Sequence, residues 1–179
     1  MKLIHKDVEL RPIDITHAKQ LFDLTDENRA YLRKTLFWVD YVKKEEDSKN
    51  FIENTLQKEK DGTEIIFEIW YQNIFVGMIN FHNLNQTDKS AHVGYWIAEA
   101  YQRKGITTAA CKLLVEYGFR EHNFNRIEIH CLVTNIGSGS VAKKLGFQKE
   151  GILRKSHWVY DHFEDMEVWG LLKEESSFE

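Results

Sequence analysis

Residues 101–114 read YQRKGITTAACKLL, so glutamine, arginine, lysine and glycine stand directly before a run whose apolar positions repeat at helical spacing. Ile106, Ala109, Ala110, Leu113, Leu114 and Tyr117 follow the i, i+3, i+4, i+7, i+8, i+11 pattern of one buried helix face. A helix amino terminus carries unpaired N–H groups and the positive end of the macrodipole, and it normally attracts Asp or Glu, worth about 0.3–1 kcal/mol each. No acid occurs from Gly105 to Val115. Gly105 lets the backbone approach a ligand closely, and Gln102, Arg103 and Lys104 add donors and charge beside the free amides. The chemistry this pattern suits is anion binding. The competing reading is an ordinary strand-to-helix turn whose basic residues are merely solvated.

Other motifs point less far. In HCLVTNIGSGSVA, Gly137, Gly139 and Ala142 match G-x-G-x-x-A between a strand and a helix, with Asp161 about 20 residues on, which is the dinucleotide-binding spacing. That fold needs further parallel β-α-β units, and too little chain follows Ala142 to supply them. No G-x-x-x-x-G-K-[ST] loop is present. His122, His130, His157 and His162 form neither H-E-x-x-H nor another recognised ligand spacing, so no metal site is expected. Cys111 and Cys131 form no close pair, which fits a reduced, cytoplasmic setting. Trp96, Trp158 and Trp169 read first as core or pocket-wall aromatics.

The elements that must position these residues are legible in outline. Residues 4–11 read as a strand, Thr16 as the cap of a helix running to about Asp26, and Asn28–Leu36 as a second short helix. A third helix covers about Glu45–Lys60. TEIIFEIWYQNIFVGMINFHNL gives two β-rich runs joined at Gln72-Asn73, where Asn tolerates the left-handed backbone of a tight hairpin. A strand at about Ser90–Ala98, the helix of residues 105–122, strand RIEIHCLV, a short helix Ser138–Leu145 and strands FQKEGILR and DMEVWGLL complete the order. Antiparallel strands followed by a β-α-β crossover imply an α+β fold, a three-layer α/β/α arrangement around a mixed sheet. With 179 residues, one proline and neither linker nor repeat, residues 1–179 are expected to form one domain. A formal charge of −4 argues against nucleic acid as a partner. The start MKLIHKDVELRP lacks a signal-peptide core, and no window approaches the roughly 18 apolar residues of a membrane span. A soluble cytoplasmic protein is expected.

GYWIAEAYQRKGITTAACKLLVEYGF and NRIEIHCLVTNIGSGSVAKKLGFQKEGILR, with LRPID and ENRAYLRKTLFWVD near the start, resemble the GNAT acetyltransferases over nearly the whole chain. Within that superfamily they are most similar to the branch acting on ribosomal-protein N-terminal serine or alanine. The family's motif [R/Q]-x-x-G-x-[G/A] stands here as Gln102-Arg103-Lys104-Gly105-Ile106-Thr107 and departs at Thr107. The resemblance implies the GNAT acyl-CoA N-acyltransferase fold, a mostly antiparallel sheet whose central strands splay apart. It also implies acetyl-CoA as co-substrate, with its pyrophosphate on residues 102–107 and its pantetheine arm bonding the backbone at Ile97, Ala98 and Glu99. Unpaired N–H groups near Ile97 would hold the developing oxyanion.

By the same resemblance Asn135 touches the pantetheine and Ser138 lies near the thiol as candidate acid, with a helix N-cap as its alternative role. Ala142 stands where many relatives place a protonating tyrosine. His157 stands where some members carry a glutamate; it is the candidate general base, or a surface residue of its strand. The acceptor cleft is implied to be walled by the early helices and the last hairpin, nominating Asn28, Arg29, Trp38, Trp96 and Tyr160, each with a purely structural alternative. A terminal α-amine, of pKa about 7.7–8.0, needs less help to lose its proton than a lysine amine at about 10.4. That favours a terminal amine, and the resemblance to the ribosomal-protein branch implies that it belongs to a ribosomal-protein N-terminus. A small amine such as a polyamine or aminoglycoside is the second reading, and a non-catalytic acyl-CoA-binding regulator the third. The oligomeric state stays open, a homo-oligomer included.

Overall fold

The computed structural model describes residues 2–176; Met1 and residues 177–179 of the expected 1–179 unit lie outside them. Strands β1 (Leu3–His5) and β2 (Val8–Pro12) turn back on each other at Lys6, whose φ is 54°. The single strand expected over residues 4–11 is thus a hairpin, because one left-handed residue suffices to reverse it. A 3₁₀ turn, Ile15–His17, then enters α1 (Ala18–Glu27). The cap is Asp14 rather than Thr16: its carboxylate accepts from both the Thr16 N–H and hydroxyl at 2.8 Å. Helix α2 is only Arg29–Leu32, with turns continuing to Leu36, a 3₁₀ segment at Phe37–Tyr41, and then α3 (Glu45–Lys60).

Strands β3 (Ile65–Tyr71) and β4 (Ile74–Asn85) join through Gln72 and Asn73, both left-handed at φ 50° and 64°, as the expected tight hairpin requires. Then follow β5 (Ser90–Ile97), α4 (Ile106–Glu121), β6 (Arg126–Leu132), α5 (Ile136–Lys144), β7 (Gln148–Val159) and β8 (His162–Leu172). The last hairpin is longer than its sequence suggests. SHWVYDHF mixes polar and aromatic residues without clean alternation, yet it extends both strands to a turn at Tyr160, φ 53°.

The eight strands form one sheet in the order β1-β2-β3-β4-β5-β6-β8-β7, and only β5 and β6 run parallel. Alternation sorts the side chains. Phe81, Val93, Ile127 and Ile129 pack with Ile106, Ala110, Leu113 and Leu114 of α4 on one face. Ile66, Met78 and Trp70 pack with Leu21 of α1 and Ile52 of α3 on the other. Helices on both faces of a mixed, mostly antiparallel sheet make the expected α+β, three-layer architecture.

Candidate active site

The two parallel strands separate almost as soon as they meet. β5 and β6 pair only at Ser90–Arg126, Ala91–Ile127 and His92–Glu128. Beyond that rung β5 stays with β4 as far as Gly77–Ile97, while β6 follows β8 to Leu132–Met166, so a wedge opens between them. Ala98 N–H bonds Val76 C=O of β4 at 2.8 Å, and alternate residues of a strand address opposite flanks. The N–H and C=O groups of Tyr95 and Ile97 therefore face the wedge. Gly77 allows this: a Cβ there would stand 2.2 Å from the Trp96 carbonyl oxygen and push the end of β5 toward β6.

The chain leaves β5 through Ala98 and Glu99, makes a 3₁₀ turn at Glu99–Tyr101 and enters α4. Arg103 and Gly105 are left-handed, at φ 58° and 77°. Among the described residues the backbone N–H groups of Arg103, Lys104, Gly105, Ile106, Thr107 and Thr108 have no hydrogen-bond partner. Six consecutive free amides, two exposed basic side chains and the positive pole of a 16-residue helix form a cradle for a multiply charged anion. Apart from its own chain neighbours, no heavy atom lies within 4 Å of the place a Gly105 Cβ would occupy. The loop is fixed from the far side: Asn28 Oδ1 accepts the Glu99 N–H at 2.9 Å, and the Gln102 amide bonds the Tyr31 hydroxyl.

Across the wedge, the N-cap of α5 is Asn135, whose Oδ1 accepts the Ser138 N–H at 3.2 Å. The capping alternative for Ser138 is thereby filled by its neighbour. Ser138 itself is buried, with Oγ 2.7 Å from the hydroxyl of Tyr95 on β5. Burial pushes the Tyr95 phenol far above its ordinary range, and it also raises the Cys131 thiol nearby on β6. Tyr95 thus stays a neutral donor at physiological pH. Tyr95 was absent from the sequence-based site, although strand alternation places it on the inward side with Val93 and Ile97, where a buried phenol needs a partner. Ala142 is fully buried in the core, where no proton donor is offered.

On the other face, Trp38 and Trp96 pack at 6.0 Å between ring centroids, and Phe37 lies 6.3 Å from His157. His157 is half-buried on β7, in register with Glu164 of β8. Arg29 is occupied in holding this wall: its guanidinium donates to the carbonyls of Val39 and Val42 at 2.5 and 2.6 Å and pairs with Asp26 at 2.8 Å. Arg33, salt-bridged to Asp40, lies over the Tyr160 ring at 5.1 Å. Trp38, Trp96, Tyr160 and His157 are thus linked through one segment, Phe37–Tyr41, whereas Asn28 and Arg29 serve as its anchors and those of the loop before α4.

Comparison with known proteins agrees with this geometry. The family model described as Acetyltransferase (GNAT) domain matches residues 7–148. The ribosomal-protein-serine acetyltransferase of Escherichia coli (strain K12) is 28% identical over 166 residues, covering 93% of each chain. The putative ribosomal N-acetyltransferase YdaF of Bacillus subtilis (strain 168) is 32% identical, covering 96% of this chain and 94% of its own. Among solved structures, RimL, a ribosomal L7/L12 alpha-N-protein acetyltransferase in complex with coenzyme A, superposes with a TM-score of 0.92 at 25% identity, covering 96% of this chain and 98% of that one.

Proposed function

The chain belongs to the GNAT acetyltransferase family, a family of acetyl-CoA-dependent N-acetyltransferases that needs no metal, and on that premise we propose that its acceptor is the N-terminal α-amine of a ribosomal protein. The observation that carries the site is the run of free amides from Arg103 to Thr108 at the end of a diverging strand. Coenzyme A lays its diphosphate on those amides with Gln102, Arg103 and Lys104 alongside. Its pantetheine arm follows the free flank of β5 at Tyr95 and Ile97 and runs on past Ala98 and Glu99, whose backbone groups, expected to join the pairing, are already bonded within the fold, with Asn135 opposite. That course delivers the thioester near Ser138.

The α-amine then attacks the thioester carbonyl directly, forming the N–C bond as the C–S bond breaks. The Ile97 N–H is placed to stabilise the oxyanion, an effect typically worth about 2.7–4 kcal/mol per donor. Ser138, backed by Tyr95, gives a proton to the departing sulfur, and His157 accepts one from the amine. A terminal amine is already partly neutral at pH 7, so a weak base suffices, and positioning two bound reactants supplies much of the rate. An acidic protein, of formal charge −4, also suits a basic ribosomal-protein tail. No helix among the described residues is long and apolar enough to cross a membrane, and a ribosomal acceptor is met in the cytoplasm, where we place the reaction.

The test follows free thiol released from acetyl-CoA with peptides beginning Ser or Ala, the same peptides N-terminally blocked, spermidine and an aminoglycoside. Release with the free peptides and none with the blocked ones is the expected result. Turnover with the polyamine or sugar alone overturns the proposed acceptor, and tight acetyl-CoA binding without any turnover assigns the protein to acyl-CoA sensing instead.

A further inference from the structure

A cluster of ionisable groups outside the transfer site sits where the wedge begins. His92 of β5 pairs in register with Glu128 of β6, the last rung before the strands part, and His130 follows two residues on. All three side chains are on the sheet face opposite the α4 core, since they alternate with buried Val93, Ile127 and Ile129. The His130 Nε2 is 2.6 Å and the His92 Nε2 3.7 Å from the same oxygen, Glu128 Oε2. The three potential ligand atoms lie within 4.8 Å of one another, and each residue is half-buried. The two rings are 4.5 Å apart between centroids.

The surrounding groups orient this set. Arg126 donates to the other Glu128 oxygen at 2.7 Å, which leaves Oε2 aimed at both imidazoles. Arg126 is also paired with Glu150, so with neutral histidines the group Arg126, Glu128 and Glu150 keeps one net negative charge for a cation to offset. Two imidazoles and a carboxylate suit zinc and its neighbours in the first transition row. For bonds of about 2.0–2.2 Å the 2.6 Å contact between His130 and Glu128 would open around the ion and the wider spacings would close.

We propose that His92, Glu128 and His130 form a binding site for a divalent transition-metal ion of the zinc class, a clasp across β5 and β6 at the apex of the wedge. The site is separate from the acetyl-transfer chemistry and independent of which amine is acetylated. Its ligands come from two strands, so linear spacing hides it. The only linear trace is Glu128-x-His130, two residues on one face of a strand.

The test uses untagged protein freed of metal by chelation and titrated with zinc by calorimetry, then with cobalt(II), whose visible absorption reports imidazole ligation. The expected result is saturable binding of one ion per chain, a visible cobalt band, and a higher melting temperature with zinc. His92→Asn and His130→Asn should each weaken binding by about tenfold or more. Should either fail to fold, Glu128→Gln makes the same comparison. Lack of saturable binding to the parent protein, or binding by these variants equal to the parent's, overturns the proposal.

Discussion

Ser138 carries two bonds with different purposes: its N–H completes the α5 cap with Asn135, while its hydroxyl meets Tyr95. Substituting Ser138 by Ala leaves the cap intact, because the cap joins the Asn135 side chain to the Ser138 backbone N–H and does not use the serine hydroxyl. Turnover should therefore fall by roughly a hundredfold, the low end of the range for proton transfer because thiolate leaves readily, with coenzyme A affinity almost unchanged. Tyr95→Phe should show the same pattern at smaller amplitude, since it frees the serine hydroxyl without deleting it. Steady-state rates beside cofactor titration check both. Equal rates in parent and Ser138→Ala remove the hydroxyl from the reaction. Nothing in the sequence marks Tyr95 and Ser138 as a pair, because they lie on separate elements across the wedge and meet only when α5 docks. The basic, acid-free helix start at Gln102 to Thr107, by contrast, was legible at once, because a helix terminus is local in sequence.

At the scale of elements, α4 begins without the acid that would stabilise it. Thr107→Glu supplies one, and the two consequences have opposite signs. A carboxylate in the first turn should raise the stability of the free protein by about 0.3–1 kcal/mol. It should also repel the diphosphate and weaken coenzyme A binding by about tenfold, a cost of some 1.4 kcal/mol. Thermal melting without ligand and a cofactor titration read the two effects separately; unchanged affinity would place the diphosphate elsewhere. Element types and order were readable from apolar periodicity, and α3 fell on its expected bounds, Glu45–Lys60. Boundaries failed where a local hydrogen bond or a positive φ decides: Lys6 splitting the first strand, Asp14 replacing Thr16 as cap, Tyr160 extending the last hairpin. Arg29 and Asn28 were nominated for an acceptor, but they hold backbone groups, a role visible only once residues 37–42 and Glu99 are in place.

For the molecule as a whole, acid sensitivity follows from its half-buried histidines. Burial lowers the affinity of His82, His92 and His122 for protons in the folded state. Unfolded imidazoles take up protons near pH 6.5, so below that value the unfolded chain binds more than the folded one, and stability falls as pH falls. Above it these groups are neutral in both states and contribute no slope. His162 acts in the opposite sense, raised by hydrogen bonds to Asp161 and Glu164, but it is solvent-exposed and its share is small. Denaturant unfolding of metal-free protein at pH 7.5 and 5.5 should show a loss at the lower pH, and His82→Asn should reduce that loss. An identical pH slope in the variant would exonerate His82.

The short partnership of β5 and β6 leaves an interior strand with one flank unsatisfied, a condition usually met at the rim of a sheet, where charge or irregularity guards against chains templating on one another. Here the bare flank is recessed between its own neighbours. A polypeptide entering there would have to fit its side chains above and below the sheet, whereas a slim thread bearing a few amides needs only the gap itself. A flank so recessed is shielded by its own neighbours in a way that a strand at the rim is not.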